Sequence, residues 1–180
     1  MTELDLLAEE VGASGRTLRR AAIRGTIRCA RPSRNRFALG AAERRWVRRH
    51  WGFVREVLAV LRTRRDVRLA ALFGSVARGE EGVGSDVDLL VAFDGDAGLR
   101  SAELGLRLGE TLRRPVQVVT LEQAEAAPLL LADALRDGRV LLDRDGLWDG
   151  LRRRERAILR QARVAADSVE RDAWTALEGG

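Results

Sequence analysis

The sequence predicts an α/β (α+β) chain: a mixed sheet with helices packed on it, a small helical module in front and a long helix behind. Three observations carry that expectation. Apolar runs of strand length, VRLAALF (67–73), DVDLLVAF (86–93), PVQVVTL (115–121) and RVLLDRD (139–145), are separated by amphipathic helical segments, the pattern of a sheet with packed helices. Charge is divided unevenly: residues 1–65 hold 16 arginines against 6 acids, whereas 66–180 hold 16 against 21. An apolar stripe of Leu151, Ile158, Ala162, Ala165 and Val169 then marks a helix from Leu147 to Leu177. The expected divisions are 1–65, 66–145 and 146–180.

Composition narrows the setting. A chain of 180 residues with 46% apolar content suits one domain or two small ones and can bury a core. There is no apolar run of transmembrane length and no signal-peptide pattern, because MTELDLLAEE opens with acids. A cytoplasmic protein without membrane contact is expected. One cysteine, Cys29, excludes an intramolecular disulfide and, with the single His50, argues against a Cys/His zinc site. Cys29 reads as a small half-buried residue. All 32 basic residues are arginine, which with abundant Ala, Gly, Leu and Val fits a high-GC bacterial genome rather than thirty-two selected guanidinium sites.

The front begins with LDLLAEEVGASGRTLRRAAIRGTIR, which divides at Val11-Gly12-Ala13. Leu4, Leu7 and Ala8 have helical spacing before the turn, and Leu18, Ala21 and Ala22 have it after. Ser14 suits the N-cap of the second helix and Gly25 its end. Two short helices joined by a glycine-containing turn form a helix-turn-helix unit. The polar face of the second helix carries Arg16, Thr17, Arg19, Arg20 and Arg24. A helix of this size fits a DNA major groove, where arginine pairs with guanine or grips phosphate. TIRCARPSRNRFAL follows, with a β-prone arm on each side of Pro32-Ser33-Arg34-Asn35, and places Arg31, Arg34 and Arg36 on a wing. The segment resembles the winged helix-turn-helix domain of bacterial regulators. From residue 16 to 55 there are 13 arginines and one acid, Glu43, whereas a merely solvated helix bundle mixes signs. GAAERRWVRRHWGFVREVLAVLRTRR continues as an amphipathic helix with Trp46, Phe53, Val57 and Leu61 inward.

The chemistry lies in FGSVARGEEGVGSDVDLLVAF (73–93). Gly74-Ser75 ends a buried strand with a tight turn, and VARG starts a helix whose first amides, with the Ser75 hydroxyl, suit a triphosphate. Alternation along the next strand puts Asp86 and Asp88 on one face. Two carboxylates on one face repel, and burial raises that cost. A divalent cation between them removes it, and magnesium commonly takes one or two carboxylates plus substrate phosphates.

The string Gly74-Ser75-Val76-Ala77-Arg78-Gly79 followed by Asp86-Val87-Asp88 resembles the signature of the polymerase-β-like nucleotidyltransferases, in particular the minimal nucleotidyltransferase family. The resemblance implies a nucleotidyltransferase fold to about residue 145, and Mg2+ with ATP or another nucleoside triphosphate as cofactors. It also implies Gly74, Ser75, Arg78 and Ser85 at the nucleotide, and Asp86 and Asp88 as metal ligands and catalytic residues. The reaction implied is transfer of AMP to a protein or RNA hydroxyl, in the setting of an antitoxin that modifies a HEPN-type toxin. The remaining segments read as a helix over AGLRSAELGLRLGETLRR and another over EQAEAAPLLLADALRDG, ended by Gly138.

One position departs from that pattern. The family's third carboxylate lies in a stretch like VDLV, and the matching VQVV has Gln117 there. No acid lies in 114–121, and an amide can accept a hydrogen bond but cannot act as a base. Two functions therefore stand side by side: a DNA-binding nucleotidyltransferase of antitoxin type, or a DNA-binding regulator whose nucleotidyltransferase domain only binds nucleotide or partner. A third, structural role would use the long last helix for assembly. The expected partners are DNA, a nucleoside triphosphate and a toxin or other protein, including a second copy of the chain.

Overall fold

A computed structural model describes residues 2–33 and 36–178, so the expected wing residue Arg34 lies outside the described residues. The first helix, α1 (Glu3–Glu10), is capped by Thr2, whose hydroxyl accepts from the Asp5 amide while the Asp5 carboxylate accepts from the Thr2 amide. That reciprocal pair satisfies two otherwise orphaned donors. Gly12 takes φ +63° in the turn, a conformation glycine adopts without penalty. Helix α2 (Gly15–Arg24) starts at Ser14, whose Oγ accepts from Thr17 N at 3.1 Å, and ends at Gly25 in the left-handed region. The inward residues are Leu4, Leu7 and Ala8 on α1 and Leu18, Ala21 and Ala22 on α2, the two triplets expected from spacing. Strands β1 (Ala30–Ser33) and β2 (Arg36–Ala38) then pair antiparallel as a hairpin.

Helix α3 (Ala41–Thr63) runs roughly 35 Å at 1.5 Å per residue. It is buried more widely than one stripe: Trp46, Val47, His50, Trp51, Val54, Val57, Leu58, Val60 and Leu61 all face neighbours, and Phe53 is only half-buried. Beyond it come β3 (Val67–Phe73), α4 (Gly74–Arg78), β4 (Val87–Phe93), α5 (Gly98–Leu112) and β5 (Val116–Thr120). Helices α6 (Leu121–Ala126) and α7 (Pro128–Asp137), strand β6 (Arg139–Asp143) and helix α8 (Leu147–Glu178) complete the chain. The single helix expected over 122–138 is thus two. Pro128 takes the first position of α7, where its missing N–H costs nothing, and the ring forces Ala127 out of the helical region.

The sheet is mixed, in the order β5-β4-β3-β6: β3 is antiparallel to β4 and β6, and β4 is parallel to β5. Alternating side chains feed two cores. Ala70, Leu72, Val87, Leu89 and Val91 join α1, α2, α3 and α5 in one cluster, so the front helices and the sheet share a continuous core. Leu69, Ala71, Leu90, Ala92 and Val140 pack with α6, α7 and the first half of α8 in the other. The free edge of β6 is covered from the front: Val140 N donates to Gly25 O at 3.3 Å, and the Thr26 hydroxyl donates to Val140 O. A covered edge leaves fewer strand groups open to a foreign strand. Helix α8 buries Leu151, Ile158 and Ala162 but outruns the surface of α7. Val169, expected on its inward stripe, is therefore 64% exposed.

Candidate functional site

The Gly74 turn, α4 and the loop to β4 meet at one end of the sheet. Gly74 has φ +73°, and a methyl built on it would overlap the Asp88 carboxylate. The position is restricted to glycine twice, by backbone conformation and by the approach of Asp88. The Ser75 hydroxyl makes no hydrogen bond among the described residues, so it remains free for a ligand. Phe73 pairs with Asp88 across β3 and β4, which is why the turn and the carboxylate come together.

Strand β4 starts at Val87, one residue later than expected, so Asp86 precedes it and is exposed while Asp88 is half-buried. Their expected burial as a pair is corrected accordingly: only Asp88 is drawn into the protein. Burial first, and the neighbouring Asp86 charge second, push the Asp88 carboxyl above the usual carboxylate range, and Arg78 opposes them less strongly. The sign follows directly. A carboxyl that holds its proton more tightly folded than unfolded destabilises the fold once pH rises through its folded pKa. Asp88→Asn is therefore expected to raise metal-free thermal stability at neutral pH, with the gain shrinking as pH falls through the carboxylate range. A melting series over pH checks it.

Gln117 lies in register with Asp88 on the parallel strand β5, and residues in register share a face about 5 Å apart. The third position of the constellation is an amide. Among the described residues no group of three or more His, Cys, Asp or Glu side chains comes together as a metal site. The donor set that remains, two hard carboxylate groups in mutual repulsion, fits Mg2+ completed by phosphate oxygens.

Arg78 is tied down rather than open. Its Nη1 donates to Asp137 at 2.5 Å and its Nε to Glu80 at 2.6 Å, which fastens α4 to the end of α7. Ser85 closes the loop before Asp86: its Oγ accepts from Gly82 N at 2.9 Å, and its carbonyl accepts from Arg114. The support behind α4 comes from residues that motif spacing passed over. Trp46 Nε1 donates to Val76 O at 2.8 Å, and Arg139 Nε donates to Ala77 O at 2.6 Å. Arg139 also binds both Glu43 oxygens, at 2.6 and 3.0 Å, and stacks 3.6 Å above the Trp46 ring. His50 Nε2 sits 2.7 Å from Glu81 Oε1, holding the loop to α3. The available signal was Glu43 itself, the lone acid among 13 arginines.

The basic residues of the front divide into two sets. Arg16, Thr17 and Arg20 on α2, with Arg31 and Arg36 on the hairpin, are exposed. Arg19 instead pairs with Asp5 at 2.9 Å, and Arg24 donates to Leu141 O at 2.7 Å, partly buried against β6. Position on the helix explains the split, since Arg19 faces α1 and Arg24 faces the sheet.

These elements define an α/β protein with a glycine turn and an aspartate pair at one sheet end. A family described as polymerase beta, nucleotidyltransferase matches residues 55–146, and the chain belongs to that family. Solved structures share the fold. A toxin–antitoxin with AMP-PNP is similar at 20% identity and TM-score 0.57, over 67% of this chain and 98% of that one. A tri-AMPylated Shewanella oneidensis HEPN toxin in complex with MNT antitoxin is similar at 18% and 0.54, over 69% and 98%. The MntA-HepT toxin–antitoxin follows at 19% and 0.52, over 67% and 96%. Comparison with curated proteins gave no match. No helix among the described residues is long and apolar enough to cross a membrane.

Proposed function

We propose that the chain is a DNA-binding protein of antitoxin type whose nucleotidyltransferase site holds Mg–ATP and transfers AMP to a protein or RNA hydroxyl. The carrying observation is the Asp86–Asp88 pair against Gly74: a half-buried carboxylate repelled by a second, exposed one is costly unless a cation joins them. Asp86 and Asp88 hold the cation, and Gly74 and Ser75 take the triphosphate. Mg2+, when bound, neutralises phosphate charge and polarises the α-phosphorus. In the transfer, the acceptor oxygen bonds to the α-phosphorus, the bond to the β-phosphate bridge breaks, pyrophosphate leaves, and the hydroxyl proton passes to water. Arg78 acts by fixing α4 against α7 and through its charge near Asp88. The toxin partner rests on the complexes that share the fold.

For DNA, residues 1–65 form a winged helix-turn-helix module. Arg16, Thr17 and Arg20 read or grip DNA, and Arg31 and Arg36 reach from the wing. Exposure supports this set, while Arg19 ties α2 to α1 and Arg24 ties it to β6. Residues 66–145 form the nucleotidyltransferase domain, and 146–180 the closing helix.

A second reading has its own support. With Gln117 beside Asp88, the site lacks a charged third ligand and base, and the domain then binds nucleotide without transfer. One experiment separates the two. The protein is incubated with α-labelled ATP and magnesium, with and without cellular protein and RNA. Label on an acceptor, lost in Asp86→Asn, supports transfer. ATP binding without label supports the second reading, and no ATP binding at all overturns both.

A further inference from the structure

A cavity of about 490 Å3 opens between the start of α2 and the side of α3, with Ser14, Thr17, Trp51, Arg55, Leu58 and Arg62 among its lining residues. Four of these, Trp51, Arg55, Leu58 and Arg62, recur at helical spacing on one face of α3. Neither Arg55 nor Arg62 meets an acid or a carbonyl acceptor among the described residues. Trp51 is 1% exposed, and its indole N–H has no acceptor. A buried donor without a partner is costly and marks a place where an acceptor is missing. The positive end of the ten-residue α2 lies at the same opening. Asp5, which approaches Gly15, is already taken up by Arg19.

Charge points the same way. Burial chiefly, and then the positive charges of Arg62 and Arg20, push the Arg24 guanidinium below its usual range. Of these three arginines Arg62 lines the cavity, so positive charge from α2 lies close to it.

We propose that this cavity is a phosphate-binding site that seats a DNA backbone strand beside α2, with Arg55 and Arg62 as its grip. The inference rests on the DNA-binding reading above and extends it from α2 and the hairpin to α3. Two features favour a polymer over a single small anion. Arg55 and Arg62 stand roughly 10 Å apart along the helix, which gives two separate cationic contacts rather than one. Thr17 belongs to both the cavity and the exposed face of α2, so the two surfaces are continuous.

The test uses the full chain and mixed-sequence duplex DNA, with affinity measured by anisotropy over a salt series. Arg55→Ala/Arg62→Ala is expected to weaken binding equally for all sequences and to lower the slope of log K against log salt by about 2. Arg153→Ala/Arg156→Ala, which removes two exposed charges from α8, is expected to leave the slope unchanged. Circular dichroism checks that each variant folds. If the parent protein binds DNA and the Arg55/Arg62 variant keeps its affinity and slope, the inference is overturned while the DNA reading stands. If the parent ignores DNA even at low salt, the DNA reading itself fails. If inorganic phosphate fills the cavity and DNA does not displace it, the site serves a free anion and the proposed occupant is wrong.

Discussion

Arg139→Ala is expected to destabilise the protein by about 3–5 kcal/mol, because it strands one half of a buried ion pair. For a chain of this size that corresponds to a fall in melting temperature of roughly 10 °C. The Arg139 and Glu43 side chains are 3% and 10% exposed. Besides Glu43, the guanidinium serves Ala77 O and Thr26 O, so its loss leaves a buried carboxylate and two carbonyls short of donors. Among the described residues, only the Arg28 amide, at 2.8 Å, would still reach Glu43. Arg139→Met combined with Glu43→Leu is expected to lose much less, since both charges leave together. The exposed Arg156→Ala on α8 is the surface control, expected within about 0.5 kcal/mol of the parent. Thermal and urea melts of the four proteins decide the matter. An Arg139→Ala variant as stable as the Arg156→Ala control would mean that the pair is not buried as described. Because Ala77 O belongs to α4, the same variant is also expected to weaken nucleotide binding through misplacement of the Gly74 turn.

Gly74→Ala is expected to abolish measurable Mg–ATP binding while costing about 1–3 kcal/mol of stability. Two penalties combine: an L residue is strained at φ +73°, and its methyl would displace the Asp88 carboxylate from its place beside the turn. Gly12→Ala separates them. Gly12 has φ +63° with nothing within 4 Å of an added Cβ, so that variant should pay only the backbone cost and bind nucleotide normally. Adding Asp88→Ala to Gly74→Ala should recover part of the lost stability but none of the binding, a coupling between neighbours that a double-mutant cycle measures. Calorimetric titration with Mg–ATP that found Gly74→Ala unchanged would remove Gly74 and Asp88 from the nucleotide site.

Much of this architecture was legible because its causes are local. Leu4, Leu7 and Ala8, then Leu18, Ala21 and Ala22, declare two helices by spacing alone, and Ser14 and Gly25 mark the bounds of the second. The glycine turn and the two aspartates stand out locally because a tight turn and paired carboxylates are rare demands on a chain, and the nucleotidyltransferase reading follows from their resemblance to that family's signature. The break at Ala127 was also written locally, in Pro128, but the apolar spacing on both sides masked it. Asp86 and Asp88 share a face by alternation, yet their unequal burial depends on where β4 begins.

Sequence pattern alone sufficed for most of the elements, for the mixed α/β class and for the residues of the Gly-Ser and Asp-x-Asp string, but it merged α6 and α7 into one helix. It could not say which arginines were free, because a guanidinium's partner depends on what the fold brings near. Arg19 and Arg20 are neighbours in the chain, but one meets Asp5 and the other meets solvent. Glu43 and Arg139 find each other across 96 positions, and neither carries a local signal of its partner. Gln117 was suspect from its sequence context, but only the parallel register of β4 and β5 set it beside Asp88. Backbone preference and hydrophobic period act over a few residues and can be read along the chain. Charge pairing and register act across the folded interior, where only the tertiary structure chooses the neighbours.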